Sequence, residues 1–260
     1  MSFENENKYY GWIRDLPDHR DHLYAAPVVT LNALPDRVDL RNLFPPVYNQ
    51  GNLGSCTANG IAAVLQFERF KQGLTPDFIP SRLFIYYNER VMENTVNSDS
   101  GASIRSGIKS VAQQGDCPES RWPYDITQFK VRPPQQCYDE ALRYQVLSYS
   151  SVVQDINQMK GCLASGHPFV FGFMVYSGFN SRETAQSGRV PMPNYSERPS
   201  GAHCVVAVGY DDSQQRFLIR NSWGSGWGMQ GYCTMPYGYL ATSSFASDFW
   251  TIRTVRSLAA

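Results

Sequence analysis

The order of the periodic segments constrains this fold most, because helical spacing fills the first half of the chain and strand-like segments fill the second. Residues 56–72 place Ile61, Val64 and Leu65 at helical spacing, and Gly73 follows as a stop signal. Further helices are predicted at 81–93, 103–115, 137–146 and 155–166.

Short aromatic or β-branched segments, bounded by Gly, Asp and Ser, predict the strands of the second half. These strands lie at 168–176, 203–212, 216–223, 230–235 and 248–255. The turn at 211–215 joins two of them and predicts an antiparallel hairpin. Helices followed by strands indicate an α+β fold with two lobes and a cleft between them.

Residues 1–33 differ from the rest of the chain, since their charges and prolines follow no clear period. We predict an N-terminal arm at 1–33 and a two-lobed domain at 34–260, which begins with the segment LPDRVDLR. The arm lacks the apolar segment that a secretory signal needs. We therefore expect the protein in the cytoplasm or exported by a non-Sec route.

The charge balance argues against two classes of partner. The 260-residue chain carries 23 basic and 23 acidic side chains, so the electrostatic footprint of a nucleic-acid or anionic-membrane partner is missing. No stretch approaches the 18 or so apolar residues of a transmembrane helix. We expect neither nucleic acid nor membrane among the partners.

The cysteines give no metal-binding pattern, because the chain has no CxxC and no Cys/His pair at ligand spacing. Cys117 and Cys137 lie in a proline-rich stretch where they can pair. Cys162, Cys204 and Cys233 lie among apolar residues, which is typical of small buried side chains.

Cys56 has a different setting, because it follows a glycine-rich bend and precedes an apolar helix. A nucleophilic thiol must be a thiolate, and a helix N-terminus and a nearby imidazolium both lower the pKa of a thiol. The bend at Gly54 and Ser55 places Cys56 at such a helix N-terminus. This setting predicts a nucleophile.

The matching base is His203, which opens a predicted strand. The other histidines lie in the arm or at a helix–strand junction (His19, His22 and His167). A base needs a group that orients its ring, and Asn221 lies on the next predicted strand. The hairpin centred on residue 212 places positions 203 and 221 side by side.

Three blocks, NQGNLGSC, AHCVVAVGYD and RNSWGSGWGMQGY, follow one another along the chain. With them the chain resembles the papain-like cysteine peptidases, whose signature residues have the order Gln, Cys, His, Asn. The likeness runs from about residue 34 nearly to the C-terminus, and the short polar arm resembles that of bacterial members. It implies a helical left lobe, an antiparallel β-barrel-like right lobe, an active-site cleft between them, and no metal or cofactor.

The resemblance also implies a role for each signature residue. Cys56 attacks the scissile carbonyl, and His203 completes the thiolate–imidazolium pair and protonates the leaving amine. Asn221 orients His203, and Trp223 shields their hydrogen bond. The Gln50 amide and the Cys56 backbone N–H donate to the oxyanion. Singly, Gln50 also fits a turn and Asn221 a strand-end cap, so it is their joint occurrence that favours catalysis.

A further set of residues is implied to bind the substrate: Gly101, Ala102, Ser103, Ile104, Gly172, Ala202, Cys204, Trp223 and Ser243. The small side chains in this set predict a roomy, uncharged pocket for P2, the second residue before the scissile bond. We expect an apolar or aromatic P2. No histidine-rich insertion resembles the loops of the family's exopeptidases, which favours an endopeptidase.

The chain departs from the family's pattern beside the nucleophile. Leu53 stands in place of a cysteine, so the family's disulfide near the nucleophile cannot form, and Thr57 replaces Trp or Tyr. The stretch 117–141 resembles the family's aromatic-Pro-Tyr loop and thereby implies a Cys117–Cys137 disulfide.

We expect a monomer that acts on peptides or proteins and whose arm lies in or near the cleft, as a short pro-segment. The expected anchors of the arm are Tyr9, Tyr10, Trp12 and Leu23; the alternative is a merely packing or disordered extension. Two other functions stay open: a transglutaminase or amidase with the same Cys–His–Asn site, and a non-catalytic binding module.

Overall fold

The computed structural model describes residues 10–194 and 196–256. Its helices are α1 (Val28–Leu31), α2 (Cys56–Lys71), α3 (Arg82–Glu93), α4 (Ile104–Gln113), α5 (Gln135–Ala141), α6 (Ile156–Ala164), α7 (Arg182–Ser187) and α8 (Tyr237–Ala241). Its strands are β1 (Leu23–Tyr24), β2 (Arg37–Asp39), β3 (Val146–Val152), β4 (Phe169–Val175), β5 (Gly201–Asp211), β6 (Arg216–Arg220), β7 (Tyr232–Pro236) and β8 (Ala246–Val255). Single 3₁₀ turns lie at Arg41–Leu43, Ile126–Gln128 and Leu142–Tyr144.

The strands form one sheet in the order β1-β3-β8-β4-β5-β6-β7, with β2 paired to β5. Its pairs are antiparallel except for β1 with β3. The β5–β6 hairpin pairs Asp211 with Arg216, which is the hairpin that the turn predicts. The predicted α+β class, with the long helices before the main strands, is confirmed.

Helix α2 is buried from Cys56 to Arg69, as expected for a helix that is apolar on most sides rather than on one stripe. It can approach the sheet closely because of Gly60. A Cβ at this position would lie 3.1 Å from Cγ1 of Val170 and 3.6 Å from Sγ of Cys204. The close packing brings the first residue of α2 to strand β5.

Strand β5 separates two hydrophobic cores, because its side chains alternate between the faces of the sheet. Val205 and Ala207 pack in the core shared with α6. Cys204, Val206 and Val208 pack in the core shared with α2 and α4. The cleft residues therefore lie where the N-terminus of α2 meets strand β5, which contributes side chains to both cores.

The helix predicted at 137–146 is wrong at its C-terminal end. Helix α5 ends at Ala141, a 3₁₀ turn follows, and β3 begins at Val146. Strand β3, together with α7 and α8, was not predicted. Its serine-rich sequence gives a weak local signal, and its strand conformation comes from pairing with β8, about 100 residues later in the chain.

The implied Cys117–Cys137 disulfide is not formed, because all six cysteines are free and buried. Both thiols lie in a small apolar cluster with Phe84 and Ala141. They share a hydrogen bond, and burial raises the pKa of each. The two cysteines are therefore neighbours, as the resemblance implied, but they are not bonded to each other.

None of the helices among the described residues has the length and apolar character that a membrane span requires.

Candidate active site

Cys56, the first residue of α2, is completely buried. Burial raises the pKa of its thiol to about 12, although hydrogen bonds from the backbone of Cys204 and of Gly11 act in the opposite direction. The sulfur therefore touches both strand β5, next to His203, and the N-terminal arm. With the arm in this position, Cys56 is a neutral thiol at physiological pH.

His203 is buried on β5, and its Nε2 lies 2.9 Å from Oδ1 of Asn221. Trp223 stacks on the imidazole, with ring centroids 5.0 Å apart and planes inclined by 27°. Oδ1 of Asn221 also accepts a hydrogen bond of 2.8 Å from the Ser222 backbone N–H. The amide is thereby held with its oxygen towards the histidine.

The two side chains meet as the hairpin symmetry predicts, although the backbone register differs slightly. A β-bulge between Ala207 and Gly209 shifts the pairing, so that Val206 lies opposite Arg220. A bulge inserts one unpaired residue and changes the direction of the strand. Continued along the strands, this pairing places position 203 opposite Trp223, and the His203 side chain contacts both Asn221 and Trp223.

Gln50 lies beside this pair. Its backbone N–H donates to the Ser222 carbonyl at 2.8 Å, and the Ser222 hydroxyl donates to Oε1 of Gln50 at 2.6 Å. Nε2 of Gln50 donates to the Leu53 carbonyl at 2.9 Å. Gln50 is thus anchored to the segment that carries Asn221.

Thr57 has a partner that the sequence did not indicate. Its hydroxyl donates a 2.8 Å hydrogen bond to Oε2 of Glu89, a fully buried residue of α3. Burial raises the pKa of Glu89 well above its ordinary value. Gly107 makes room for this carboxyl, since a Cβ there would lie 2.3 Å from Oε1. An aromatic residue at position 57 would leave Glu89 without its donor.

Asp99 joins the bend before Cys56 to the loop at Gly101. The Gly54 backbone N–H donates to both carboxylate oxygens, at 3.0 and 3.1 Å. The Tyr86 hydroxyl donates to the same carboxylate and accepts from the Gly101 backbone N–H at 3.2 Å. Leu53 excludes a disulfide beside Cys56, and this network connects the bend to the Gly101 loop instead.

We predict that Asp99→Ala lowers the free energy of unfolding by about 2–3 kcal/mol, because hydrogen bonds to a charged group are lost and buried donors stay unpaired. The measurement is chemical unfolding monitored by fluorescence. Asp125→Ala is the matched control, since Asp125 is likewise an exposed aspartate that accepts a backbone N–H, but its donor, Thr127, is exposed, whereas Gly54 and Tyr86 are buried. Equal, small effects of both substitutions would contradict the prediction.

The N-terminal arm runs through the cleft. The Trp12 N–H donates to the Ala202 carbonyl at 3.2 Å, and the Ile13 N–H donates to the Ala102 carbonyl at 3.0 Å. The Ala102 N–H in turn donates to the Gly11 carbonyl at 2.8 Å. The arm is therefore hydrogen-bonded to both walls.

The arm fits the cleft closely at Gly11 and Trp12. A Cβ on Gly11 would lie 1.7 Å from the Gly54 carbonyl oxygen, so only glycine fits above the nucleophile bend. A Cβ on Gly172 would lie 1.9 Å from the Trp12 ring. Trp12 is only 5% exposed. The indole thus occupies the space that Gly172 leaves open.

Polar contacts hold the arm on either side of Trp12. The Tyr10 hydroxyl donates to Asn180 at 2.5 Å, and the Tyr10 ring lies 5.9 Å from that of His203. Arg105 of α4 forms a 2.6 Å ion pair with Asp21 and donates to the Leu16 carbonyl at 2.6 Å.

Two of the four expected anchors, Tyr10 and Trp12, therefore lie in the cleft. Leu23 does not: it is 69% exposed and pairs in β1, because its strand register turns the side chain to solvent. Tyr9 lies outside the described residues. The arm is nevertheless fixed at both ends of this stretch, in the cleft and at the sheet edge.

The expected substrate-binding residues divide into two groups. Gly101, Ala102, Gly172, Ala202 and Trp223 contact the arm.

Three of the remaining four have other surroundings: the Cys204 side chain faces Gly60 of α2, Ser103 caps α4 and Ile104 is buried in the core. The fourth, Ser243, is exposed and also contacts the arm, because its carbonyl accepts a hydrogen bond from Arg14. The pocket around Trp12 is also not uncharged, because Oδ2 of Asp248 accepts a hydrogen bond from Nε1 of the indole at 3.1 Å.

Asp15 makes the docking of the arm depend on pH. Burial, and next the charge of Asp248, raise the pKa of Asp15 from 3.8 to about 6, against the opposing effect of Arg105. A carboxyl with a raised pKa binds its proton more tightly when the arm is docked. Docking is therefore strongest below about pH 4 and weakens as the pH rises through 6.

We predict that arm release increases up to about 100-fold between pH 4 and pH 7, which is the factor that two pKa units allow. The measurement is the rate at which a neutral epoxysuccinyl inactivator labels Cys56 in the natural chain and in Asp15→Asn. The ratio of the two rates cancels the titration of the thiol itself. A ratio that does not change with pH would rule out this role of Asp15.

Three functional contacts were not found from the sequence: those of Asp99, Glu89 and Asp248. Glu89 and Asp248 are acidic residues within or beside an apolar segment, which is the signal the sequence offered, whereas Asp99 lies in a polar stretch and gave none. The partners Thr57, Gly54 and Trp12 are 32, 45 and 236 residues away along the chain, so no local pattern identifies them. Among the described residues, no group of three or more His, Cys, Asp or Glu side chains is arranged to hold a metal ion.

A protein-family model described as "Papain family cysteine protease" matches residues 34–250. Among curated proteins, a peptidase C1-like protein of Acanthamoeba polyphaga mimivirus is 41% identical, over 98% of this chain and 90% of its own length. Peptidase 1 of Euroglyphus maynei is 27% identical, over 85% of this chain and 64% of its own length.

Among solved structures, xylellain, a cysteine protease from Xylella fastidiosa, matches with a TM-score of 0.88 and 47% identity, over 95% of this chain and 96% of xylellain. Digestive procathepsin L 3 of the Tenebrio molitor larval midgut matches with a TM-score of 0.70 and 17% identity, over 92% of this chain and 74% of its own. The second likeness concerns the fold alone.

Proposed function

The chain belongs to the papain family of cysteine proteases, and on this premise we propose that it is an endopeptidase whose own N-terminal arm regulates it. Cys56 is the nucleophile, His203 the acid–base partner and Asn221 the residue that orients His203. The observation that carries the proposal is the 2.9 Å His203–Asn221 hydrogen bond beside the N-terminus of α2. No metal or cofactor takes part in these steps.

The reaction proceeds in two steps through a thioester. The Cys56 thiolate attacks the scissile carbonyl while His203 protonates the leaving amine; water, activated by His203, then hydrolyses the thioester. The oxyanion accepts hydrogen bonds from the Gln50 amide and the Cys56 N–H. Such a donor is typically worth about 2.7–4 kcal/mol in the transition state. The anchoring of Gln50 to Ser222 supports this role, because a fixed donor needs no reorganisation.

The arm, which we place at 1–33 ahead of a peptidase domain at 34–260, acts as a short inhibitory pro-segment. Gly11 lies on the nucleophile, and its carbonyl accepts from the Ala102 N–H. Because the Gly11 carbonyl is bound to Ala102, it does not face the Gln50 amide and the Cys56 N–H, which are the proposed oxyanion donors. The arm can therefore cover Cys56 without being cleaved as a substrate. We predict that the chain belongs to a bacterial, short-armed group of this family.

Trp12 also supports the preference for an apolar or aromatic P2, because a large aromatic side chain occupies the pocket beside Gly172. A panel of fluorogenic peptides that differ only at P2 tests this preference. Fastest cleavage of peptides with a charged P2 would contradict it.

The proposed chemistry is tested by labelling with an epoxysuccinyl inactivator, followed by mass spectrometry of the intact chain. We expect one label on the natural chain and none on Cys56→Ser. Product analysis with a peptide substrate and an added amine separates hydrolysis from acyl transfer. Absence of labelling, once Trp12→Ala has opened the cleft, would favour the non-catalytic binding module, and a transferred amine would favour the transglutaminase.

A further inference from the structure

The pocket that holds Trp12 has an apolar wall and a polar floor. Gly172 and the backbone of Ala102 and Ala202 surround the indole, which is 5% exposed. At the floor, Oδ2 of Asp248 accepts from Nε1 of the indole at 3.1 Å. A carboxylate therefore recognises the single polar atom of this side chain.

A β-bulge aims Asp248 into this pocket. Strand β8 pairs with β4 so that Gly172 lies opposite Ser247 and Val170 lies opposite Trp250, with a register shift between the two pairs. Asp248, inside this shift, has a φ of 59°, a left-handed conformation that Asp tolerates better than most residues. Bulges characteristically redirect a side chain in this way.

The arm supplies two donors to Oδ2 of this carboxylate. Besides the indole, the Asp15 backbone N–H donates to the same Oδ2 at 2.7 Å. The other groups that act on Asp248 are the neighbouring Ser247 hydroxyl and, at longer range, Arg14 of the arm. When the arm leaves the cleft, the donors at positions 12 and 15 leave with it.

We infer that Asp248 is a specificity-determining residue of the substrate pocket and selects peptides whose P2 side chain has an aromatic body that ends in an N–H donor, tryptophan above all. The inference rests on the proposed function, because it assigns P2 to the space that Trp12 occupies. A phenylalanine or leucine fills the same space but leaves Oδ2 of the partly buried carboxylate without the donor that the indole supplies. Sites built to bond a polar group discriminate strongly against analogues that lack it.

The test compares two peptides that differ in one atom group at P2: tryptophan and benzothienylalanine, in which sulfur replaces the indole N–H. The enzyme is the full-length chain with Trp12→Ala, so that the pocket is open. We expect kcat/KM to be about tenfold higher for the tryptophan peptide. The second variant adds Asp248→Gly, which suits a positive φ and removes the carboxylate, and the ratio should fall below about twofold.

Asp248→Asn refines the result, because it keeps an acceptor oxygen and a residue that tolerates the left-handed conformation. We expect it to retain about a threefold preference. Equal cleavage of the two peptides by Trp12→Ala, or a preference that persists in Asp248→Gly, would overturn the inference.

A binding measurement separates this inference from the proposed function. Calorimetry with the same two peptides on full-length Trp12→Ala/Cys56→Ala requires no hydrolysis. A tenfold difference in Kd without any peptide cleavage by Trp12→Ala supports the role of Asp248 and contradicts the peptidase. Cleavage together with equal Kd values and equal rates supports the peptidase and contradicts the role of Asp248.

Discussion

Replacing His203 by alanine is expected to lower kcat/KM for peptide hydrolysis by about 10⁴-fold, the upper range for loss of a general acid–base group. The imidazole is the one base beside Cys56 among the described histidines, and its Nε2 is already held by Asn221. Without it, the thiolate loses its counter-ion and the leaving amine its proton donor. Initial rates with a fluorogenic peptide, in the Trp12→Ala background, measure the effect.

His167→Ala is the matched control, because His167 lies near the other end of α2 and pairs with Glu68 at 3.3 Å. It should change kcat/KM less than about twofold. Asn221→Ala should fall between the two, since it leaves the base in place and removes only its orientation. A His203→Ala protein that is folded and retains a tenth of the activity would end the assignment of His203 as the acid–base partner.

Trp12→Ala is expected to raise both kcat/KM and the rate of Cys56 labelling by about 100-fold. Truncation of a buried aromatic side chain costs about 3–5 kcal/mol, and each 1.4 kcal/mol changes an equilibrium tenfold. The docked arm therefore loses enough binding free energy to open the cleft. Departure of the arm also exposes Cys56, and its pKa then falls from about 12, because burial is the main cause of the raised value.

The control on the same arm is Leu16→Ala, since Leu16 is 82% exposed and its removal costs no buried contact. It should leave both rates within about twofold of those of the natural chain. Thermal unfolding of each variant shows that the domain is intact. Unchanged kinetics in a folded Trp12→Ala protein would contradict inhibition by the arm.

Cys56, His203 and Asn221 could be predicted from the sequence because each carries a local signal. The glycine-rich bend marks the helix N-terminus, only four histidines compete for the role of base, and a short turn brings two strands together. The hairpin prediction places position 203 opposite 221, whereas the pairing of Val206 with Arg220 continues to 203 opposite 223; the His203 and Asn221 side chains still meet.

Other features depend on contacts between distant segments and escaped prediction for that reason. Strand β3 exists through its pairing with β8, and Asp248 faces the pocket only because a bulge breaks the register with β4. The small residues of the pocket predict an uncharged site, and they give no sign of the Asp248 carboxylate. Thr57 likewise had no evident role until Glu89, 32 residues later, supplied its acceptor.

The arm is fastened to the sheet a short distance from where it covers Cys56. Strand β1 pairs with β3, the His22 carbonyl accepts from Ser151 at 2.8 Å, and only residues 13–22 separate this point from Trp12. A short tether of this kind gives its end an effective concentration in the millimolar range. The proposed inhibition by the arm would therefore be unimolecular and would not weaken on dilution of the enzyme. A single cut within residues 13–22 would turn the covering segment into a free peptide, which dilution removes, so one cleavage suffices for irreversible release.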